Sequence, residues 1–528
     1  MTLDESTGGR GGSDGRVLCA ELVACLSLAT DLGTGLPLEH ALRSCLLAVW
    51  LAESCGLSQS ETQEVYYVAL LKYLGCTVTS HVTAQAFGDE LGMGTWFAAV
   101  DLGDPAEVMA ALAGNVGAGL PESERQAALA RAMESATLVA ENPVQHCEVG
   151  RLLATELGLP APVAKSLGQA FARWNGSGVP QIVGDEIAMS MRIALRTEEA
   201  ERFSRLRGPS AAVDMVRQRA GHAYDPQLAE RFAEGGEEIL VSLDATDCWT
   251  AVIAGEPGPR NSLEGQAIDR ALAAVADFTD MKSPYLLGHS RAVAELAASA
   301  ATRSGLPAAD SMALRRAGWV HDVGRVAVSS AIWAKPGPLT AGEWERVRLH
   351  SHYTDRILAR AKGLEHLRGI AAMHHERLDG SGYHTGAAGA VQPLEARLLA
   401  AADVYVALTE PRPQRPAHTA EQAGRIVRDE ARAGHLDAAA VSAVLDAAGQ
   451  PVGPRRSLAP ADLTPREIEV LRALARGLTT REIAAQLVIS AKTADNHVQH
   501  IYEKLQVSTR AGATLFALSH GLLESLKR

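Results

Sequence analysis

Two stretches of this chain keep the same residue types at the same intervals, and that repetition limits its fold more than any other feature. His40 stands in LEHALRS and His289 in LGHSRAV. Thirty-two residues beyond them come Lys72 and His321, each inside an apolar segment that closes on glycine: ALLKYLGC at 69–76 and GWVHDVGR at 318–325. His146 then precedes RWNGSG (173–178), and His350 precedes RLDGSG (377–382). The spans from His146 to Trp174 and from His350 to Leu378 are both 28 residues, and an AGH tripeptide follows in each, at 220–222 and 433–435. Several equal intervals in one order mark an internal duplication. A front copy and a back copy of one supersecondary unit are therefore expected.

Helical periodicity dominates both copies, with no long series of alternating strands. Hydrophobic residues make up 47% of the chain but aromatics only 4%. Abundant Ala and Leu favour helices over a β-sandwich. Prolines and glycines cluster in AGEPGPRNS (254–262) and GQPVGPRRSLAPAD (449–462), which read as linkers. The expected architecture is all-α: a tail over 1–16, a front domain over 17–250, a back domain over 264–448, a linker over 449–462 and a third domain over 463–528.

The net charge of −12 excludes a protein that is basic throughout, so any nucleic-acid site must be local. The seven cysteines all lie between Cys19 and Cys248 without a CxxC, as expected of reduced, buried thiols. No apolar run approaches the roughly 20 residues of a membrane helix. The start, MTLDESTGGRGGSDG, lacks the basic and apolar regions of a signal peptide and reads as a disordered tail. A soluble cytoplasmic protein is expected.

The copies differ in residues that carry chemistry. The back copy has His321-Asp322 where the front has Lys72-Tyr73, His374-His375 where the front has Ala170-Phe171, and Asp403 where the front has Glu198. With His289 and His350, the back copy thus holds seven candidate ligands: His289, His321, Asp322, His350, His374, His375 and Asp403. Imidazole and carboxylate together suit divalent transition metals such as Mn, Fe, Co, Ni or Zn. Seven groups exceed the needs of one ion and fit two ions bridged by an aspartate, an arrangement able to hold a phosphate and activate water.

The order H…HD…H…HH…D resembles the HD superfamily of metal-dependent phosphohydrolases. Within it, HHERLDGSGYH (374–384) is similar to the HD-GYP signature HHExxDGxGYP, and HDVGR, AKPGPLTAGEWERVRLH (334–350) and PLEARLLAAADVYVALT (393–409) agree with it. The resemblance covers 280–448. It implies a helical metal site held by the seven residues, with Asp322 as bridge and Arg325 beside it, and hydrolysis of cyclic di-GMP or a related cyclic dinucleotide. Gly380 and Gly382, with Tyr383, would shape the loop over the substrate. Lys335 and Arg397 lie in matching segments and are candidate phosphate contacts. Three departures stand out: Arg325 replaces the family lysine, His384 replaces the final proline, and Tyr285 stands where three-metal members carry a glutamate. Two metal ions, Fe, Mn or similar, are therefore expected.

The last segment begins with a marked helix start: Thr464 as cap, Pro465 at the first position and Glu467 at the third. A second capping box runs from Thr479 to Glu482, and Ser490 precedes a helix with Ala494, Val498, Ile501 and Leu505 on its apolar stripe. Three short capped helices with a tight turn describe a helix-turn-helix. Over 463–528, nine Lys/Arg against six Asp/Glu give +3, the local positive charge that DNA requires. LTPREIEVL, REIAAQL, S-x-K-T-x-x-x-H and IYEKL followed by STR resemble the LuxR/FixJ type. That resemblance implies a homodimer on double-stranded DNA, a dimer contact from the 508–523 helix, and DNA contacts from Lys492, Thr493, Asn496, Gln499, His500 and Lys504. His497 is expected in the core.

The combined expectation is a transcription regulator whose back domain hydrolyses a cyclic dinucleotide. In the alternative reading that domain senses such a ligand without cleaving it.

Overall fold

In the computed structural model the described residues are 16–135, 139–450, 461, 463–505, 507, 509–519 and 522. Most of the expected tail and of the 449–462 linker lies outside them. The architecture is all-α apart from one small ribbon, in which Arg16–Leu18 pairs antiparallel with Ser262–Glu264. Arg16, assigned to the tail from sequence, is therefore a strand residue. A three-residue strand carries too little periodicity to stand out in a sequence.

The duplication appears as matched helices. Cys19–Thr34, His40–Ser54, Gln59–Leu71, Asn142–Glu156 and Met189–Arg207 of the front copy correspond to Gln266–Asp280, His289–Arg303, Ala308–Val320, Ala341–Leu358 and Leu394–Thr409 of the back copy. Twin contacts explain what the repeat preserves. Asp31 accepts the Ala41 N–H and Asp280 accepts the Ser290 N–H, each fixing the start of the helix that opens with His40 or His289. A β-carbon on Gly75 would lie 2.2 Å from the His146 carbonyl oxygen, and one on Gly324 would lie 2.0 Å from that of His350. Only glycine lets those segments approach so closely. Arg192 donates to Asp225 at 2.9 Å and Arg397 to Asp437 at 3.1 Å, and each aspartate caps the next helix.

The two copies do not keep separate interiors. One apolar cluster runs from Val17, Leu26 and Tyr67 of the front copy through Phe278, Val326 and Leu367 of the back copy. The division at 250–264 thus separates the repeats in sequence while their cores are continuous. A second cluster, around Leu398, Val427 and Val444, closes the far end of the back copy.

The C-terminal helices Pro465–Ala475, Thr480–Leu487, Ala491–Leu505 and Arg510–Ser519 bury their own core of Val470, Leu474, Ile483, Val498 and Ile501. Both capping boxes form: Thr464 with Glu467, and Thr479 with Glu482. Ser490 Oγ accepts the Thr493 N–H. Among the described residues no helix is long and apolar enough to cross a membrane. All seven cysteines are free, and five of them are buried.

Candidate metal centre

Five helices, three of them through an end, deliver the seven expected ligands to one pocket. His289 opens its helix, and His321 and Asp322 follow the end of Ala308–Val320. His350 lies within Ala341–Leu358, whose start is fixed by a Thr340–Glu343 capping box. His374 and His375 follow the end of Glu365–Ala371, and Asp403 lies within Leu394–Thr409.

These side chains form two groups, one of His289, His321, Asp322 and Asp403 and the other of His350, His374 and His375. Asp322 faces both. Its Oδ2 lies 3.0 Å from His321 Nε2 and 3.6 Å from His289 Nε2, while its Oδ1 lies 3.4 Å from His350 Nε2 and 3.3 Å from His374 Nε2. Asp403 also reaches across, with Oδ1 at 3.1 Å from His289 and Oδ2 at 3.6 Å from His375.

The far side of four of the five rings is anchored. Nδ1–H donates to the carbonyl three residues back for His321 (Gly318, 2.7 Å), His350 (Val347, 2.5 Å) and His374 (Ala371, 2.7 Å). His289 Nδ1 is bound to Glu410 at 2.9 Å. That pattern fixes the tautomer and leaves Nε2 as an inward lone pair, as metal-binding histidines require.

The electrostatics fit a cation. Both Asp322 oxygens and His321 Nε2 are buried without a hydrogen-bond partner among the described residues. Burial would raise the Asp322 carboxyl, but the Arg325 guanidinium and the neighbouring imidazoles outweigh it and hold the group well below the carboxylate range. Burial lowers His374 to about 4, and His375 also falls well below the usual imidazole value. Both rings therefore stay neutral, the state a ligand needs. Burial opposes charge on His321, yet Asp322 and Asp403 lift it to about 10. The pocket draws positive charge to that point, and the donor set suits borderline divalent ions.

Beside the second group opens a cavity of about 650 Å³. His350, His375 and Tyr383 stand on its wall with four basic side chains, Arg325, Lys335, Arg412 and Arg415, and no carboxylate. Trp333, Trp344 and Tyr285 add aromatic faces. Arg325 Nη1 lies 2.8 Å from Asp322 Oδ2, and its guanidinium sits 5.3 Å from the Trp333 ring centre. Lys335 is paired with Glu343 at 2.7 Å.

Other expected residues do not reach the wall. Gly380, with φ of +80°, and Gly382, whose β-carbon would lie 2.4 Å from the Arg377 nitrogen, shape the loop that carries Tyr383. Arg397 is spent on Asp437 and on the Gln392 and Gly389 carbonyls, the same bracing that its twin Arg192 gives Asp225. Glu410, Arg412 and Arg415 are the residues missed from sequence. Glu410 stands seven residues after Asp403, two helical turns along the same face, and links His289 to Arg412 at 2.9 Å. The run EPRPQRP (410–416) directly after the last ligand helix was the available signal.

On the C-terminal domain, Lys492, Thr493, Asn496, Gln499 and His500 are exposed along one helix, and His497 is half-buried. Lys504 instead reaches back to Glu467 at 2.8 Å, tying this helix to the first capping box.

The family model described as HD domain matches residues 273–440, and the one described as bacterial regulatory proteins, luxR family, matches 461–517. The chain is 30% identical over 416 residues to 3'3'-cGAMP-specific phosphodiesterase 3 of Vibrio cholerae, covering 78% of this chain and 90% of that protein. It is 34% identical over 154 residues to the cyclic di-GMP phosphodiesterase response regulator RpfG of Xanthomonas campestris pv. campestris, covering 29% of this chain and 40% of that one. The crystal structure of a cyclic GMP-AMP specific phosphodiesterase of V. cholerae, V-cGAP3, superposes with a TM-score of 0.57 at 26% identity, over 85% of this chain and all of the other. With the HD ligand order assembled in one pocket and these relatives beside it, the chain belongs to the HD-GYP branch of the HD-domain phosphohydrolases, joined to a luxR-family regulatory domain.

Proposed function

We propose that the back copy binds two divalent cations and hydrolyses a phosphodiester of a cyclic dinucleotide, 3'3'-cGAMP or cyclic di-GMP, within a cytoplasmic regulator that binds DNA as a dimer. The observation that carries this reading is Asp322, whose two oxygens face two separate groups of imidazoles. His289, His321, Asp403 and Asp322 would hold one ion, and His350, His374, His375 and Asp322 the other. Bound there, the ions would polarise phosphate oxygens and lower the pKa of water.

The protein's own side chains supply the remainder. Arg325, Arg412, Arg415 and Lys335 surround the cavity with positive charge, which offsets the phosphates of an anionic ligand. Trp333 and Trp344 offer planes on which bases stack. His350 and His375 form the boundary between cavity and ligand groups, so a phosphate in the cavity meets the metal side through them.

The test is incubation of the Mn- or Fe-loaded protein with 3'3'-cGAMP and with cyclic di-GMP, followed by chromatography. A linear dinucleotide should form, and it should vanish in Asp322→Ala. No product from either substrate would refute hydrolysis. One observation favours the sensing alternative: Arg325 occupies the space against Asp322 Oδ2, where it competes with an ion for the same oxygen. Saturable binding of either nucleotide without product would select that reading. For the DNA-binding domain, Lys492→Ala should weaken operator binding and lower its salt slope by about one.

A further inference from the structure

The front copy keeps a cavity at the place that corresponds to the metal pocket. It measures about 520 Å³, and Tyr73, His146 and Phe171, the counterparts of Asp322, His350 and His375, lie on its wall. The rest of the wall differs in kind from the back copy. Where the back copy presents four basic groups, the front presents Phe87, Met93, Phe97, Leu102, Val108 and Leu112.

Much of that apolar wall is an insertion. From Lys72 to His146 the front copy runs 74 residues, against 29 from His321 to His350. The 45 extra residues include the helices Pro105–Asn115 and Glu122–Glu134, which pack on a small core of their own around Phe87, Val116, Ala128 and Ala132. Loss of a metal site alone would be met most stably by larger side chains filling the space. This chain has roofed the space instead, at a volume typical of small-molecule sites.

Two residues of the wall each keep one polar atom without a partner, although Arg202 pairs with Glu198 through Nη1 and Asn142 donates to Thr83 through Nδ2. Arg202 Nε and Asn142 Oδ1 are buried, and neither has a hydrogen bond among the described residues. Buried polar atoms are nearly always satisfied, so a donor and an acceptor left open in an apolar chamber point to a missing ligand. The charge nearby is unbalanced in the same sense. Glu198 is shared by Lys72 at 2.6 Å, His40 at 3.4 Å and Arg202 at 3.6 Å, and Glu201, which also holds His40 at 2.5 Å, is shared with Arg43 at 2.6 Å and Arg205 at 2.5 Å. Glu198 lies behind the wall, and the carboxylate among the described residues of the wall itself, Glu90, is already taken up by Lys282 at 3.0 Å and by Ser329 and Ser330 of the back copy.

We propose that this cavity is a receptor site for a small, mostly apolar carboxylic acid, with the carboxylate at Arg202 and the hydrocarbon under the inserted roof. Glu90 gives the site a route to the pocket next door. The same carboxylate that lines the cavity grips Ser330, which opens the helix Ser330–Trp333, and Trp333 lines the phosphate cavity.

Octanoate and octan-1-ol, titrated calorimetrically into the full chain, test the assignment. Octanoate should bind saturably at one site per chain with Kd below about 1 mM. Val108→Trp and Leu112→Trp, which fill the chamber from the roof, should each weaken it about tenfold or more. Arg202→Gln should weaken octanoate by a similar factor and octan-1-ol by less than about twofold. Asp322→Ala should bind octanoate as the wild type does, which separates this site from the metal pocket. Retained melting temperatures of the two roof variants establish that they fold. No saturable octanoate binding, unchanged binding in both folded roof variants, or loss in Asp322→Ala would each overturn the proposal.

Discussion

In the back copy the helix Ala308–Val320 delivers His321 and Asp322 to a pocket shaped for cations. In the front copy Gln59–Leu71 delivers Lys72 and Tyr73 to the same place. Lys72 Nζ lies 2.6 Å from Glu198, the counterpart of Asp403, so a covalently attached ammonium supplies the charge that a metal ion would bring. His146 keeps its position but reverses its use. Its Nε2–H donates to the Lys72 carbonyl at 2.7 Å, where His350 turns Nε2 toward the ligand group. Burial drives His146 down to about 4, so it remains a neutral structural ring. On the proposed reading, the same scaffold would accept either an exchangeable cation or a built-in one.

The comparison breaks most sharply if the back copy is converted to the front one. Replacing His321→Lys together with Asp322→Tyr should cut hydrolysis about a thousandfold or more, because both ligand groups lose a member. Circular dichroism should show the helical content unchanged. Residual activity near wild type would mean that the pocket is not the reaction site.

The converse deletion concerns stability. Lys72→Met removes the shortest of three cation contacts to buried Glu198, with His40 and Arg202 remaining, a loss of about 1–3 kcal/mol by chemical denaturation. His40 should add a pH dependence. Burial opposes its charge, but Glu198 and Glu201 outweigh that and raise it from 6.5 to about 9. Its contribution is therefore complete below about pH 6.5 and is lost as pH rises through about 9, worth about 3 kcal/mol. The stability difference between wild type and His40→Gln should shrink across that window, and a constant difference would deny the ion pair.

The smallest effects separate bracing from binding. Arg397→Gln should lower stability by about 1–3 kcal/mol, as Arg192→Gln should in the front copy, with KM unchanged. Arg412→Gln, which gives up the Glu410 pair and the Tyr285 carbonyl, should lower stability by a similar amount but also raise KM about tenfold. Steady-state kinetics beside melting curves would show which arginine does which.

Much of this was readable before any coordinates. The seven side chains that gather in one pocket and both capping boxes follow from residue type and interval, because clusters of this kind and helix caps depend on fixed local geometry. Arg397 was misleading because a matched segment does not reveal which partner a guanidinium takes, and Asp437 lies on another helix. The pairing of Lys504 with Glu467 was hidden for the same reason, since the two are distant in sequence but adjacent in the packed domain. Glu410 had a periodic signal and Arg412 a compositional one. The core shared by the two copies had none, because apolar faces do not announce which apolar faces they will meet. The front cavity was hidden for a further reason: an insertion shows as extra length, and its use depends on how it folds back.

Metal analysis of the purified full chain tests the central claim most directly. Plasma mass spectrometry of Mn- or Fe-loaded protein should find two ions per chain in the wild type and in Lys72→Met, and fewer than one in Asp322→Ala. A wild-type chain that retains no metal, or an Asp322→Ala chain that retains two ions, would contradict it.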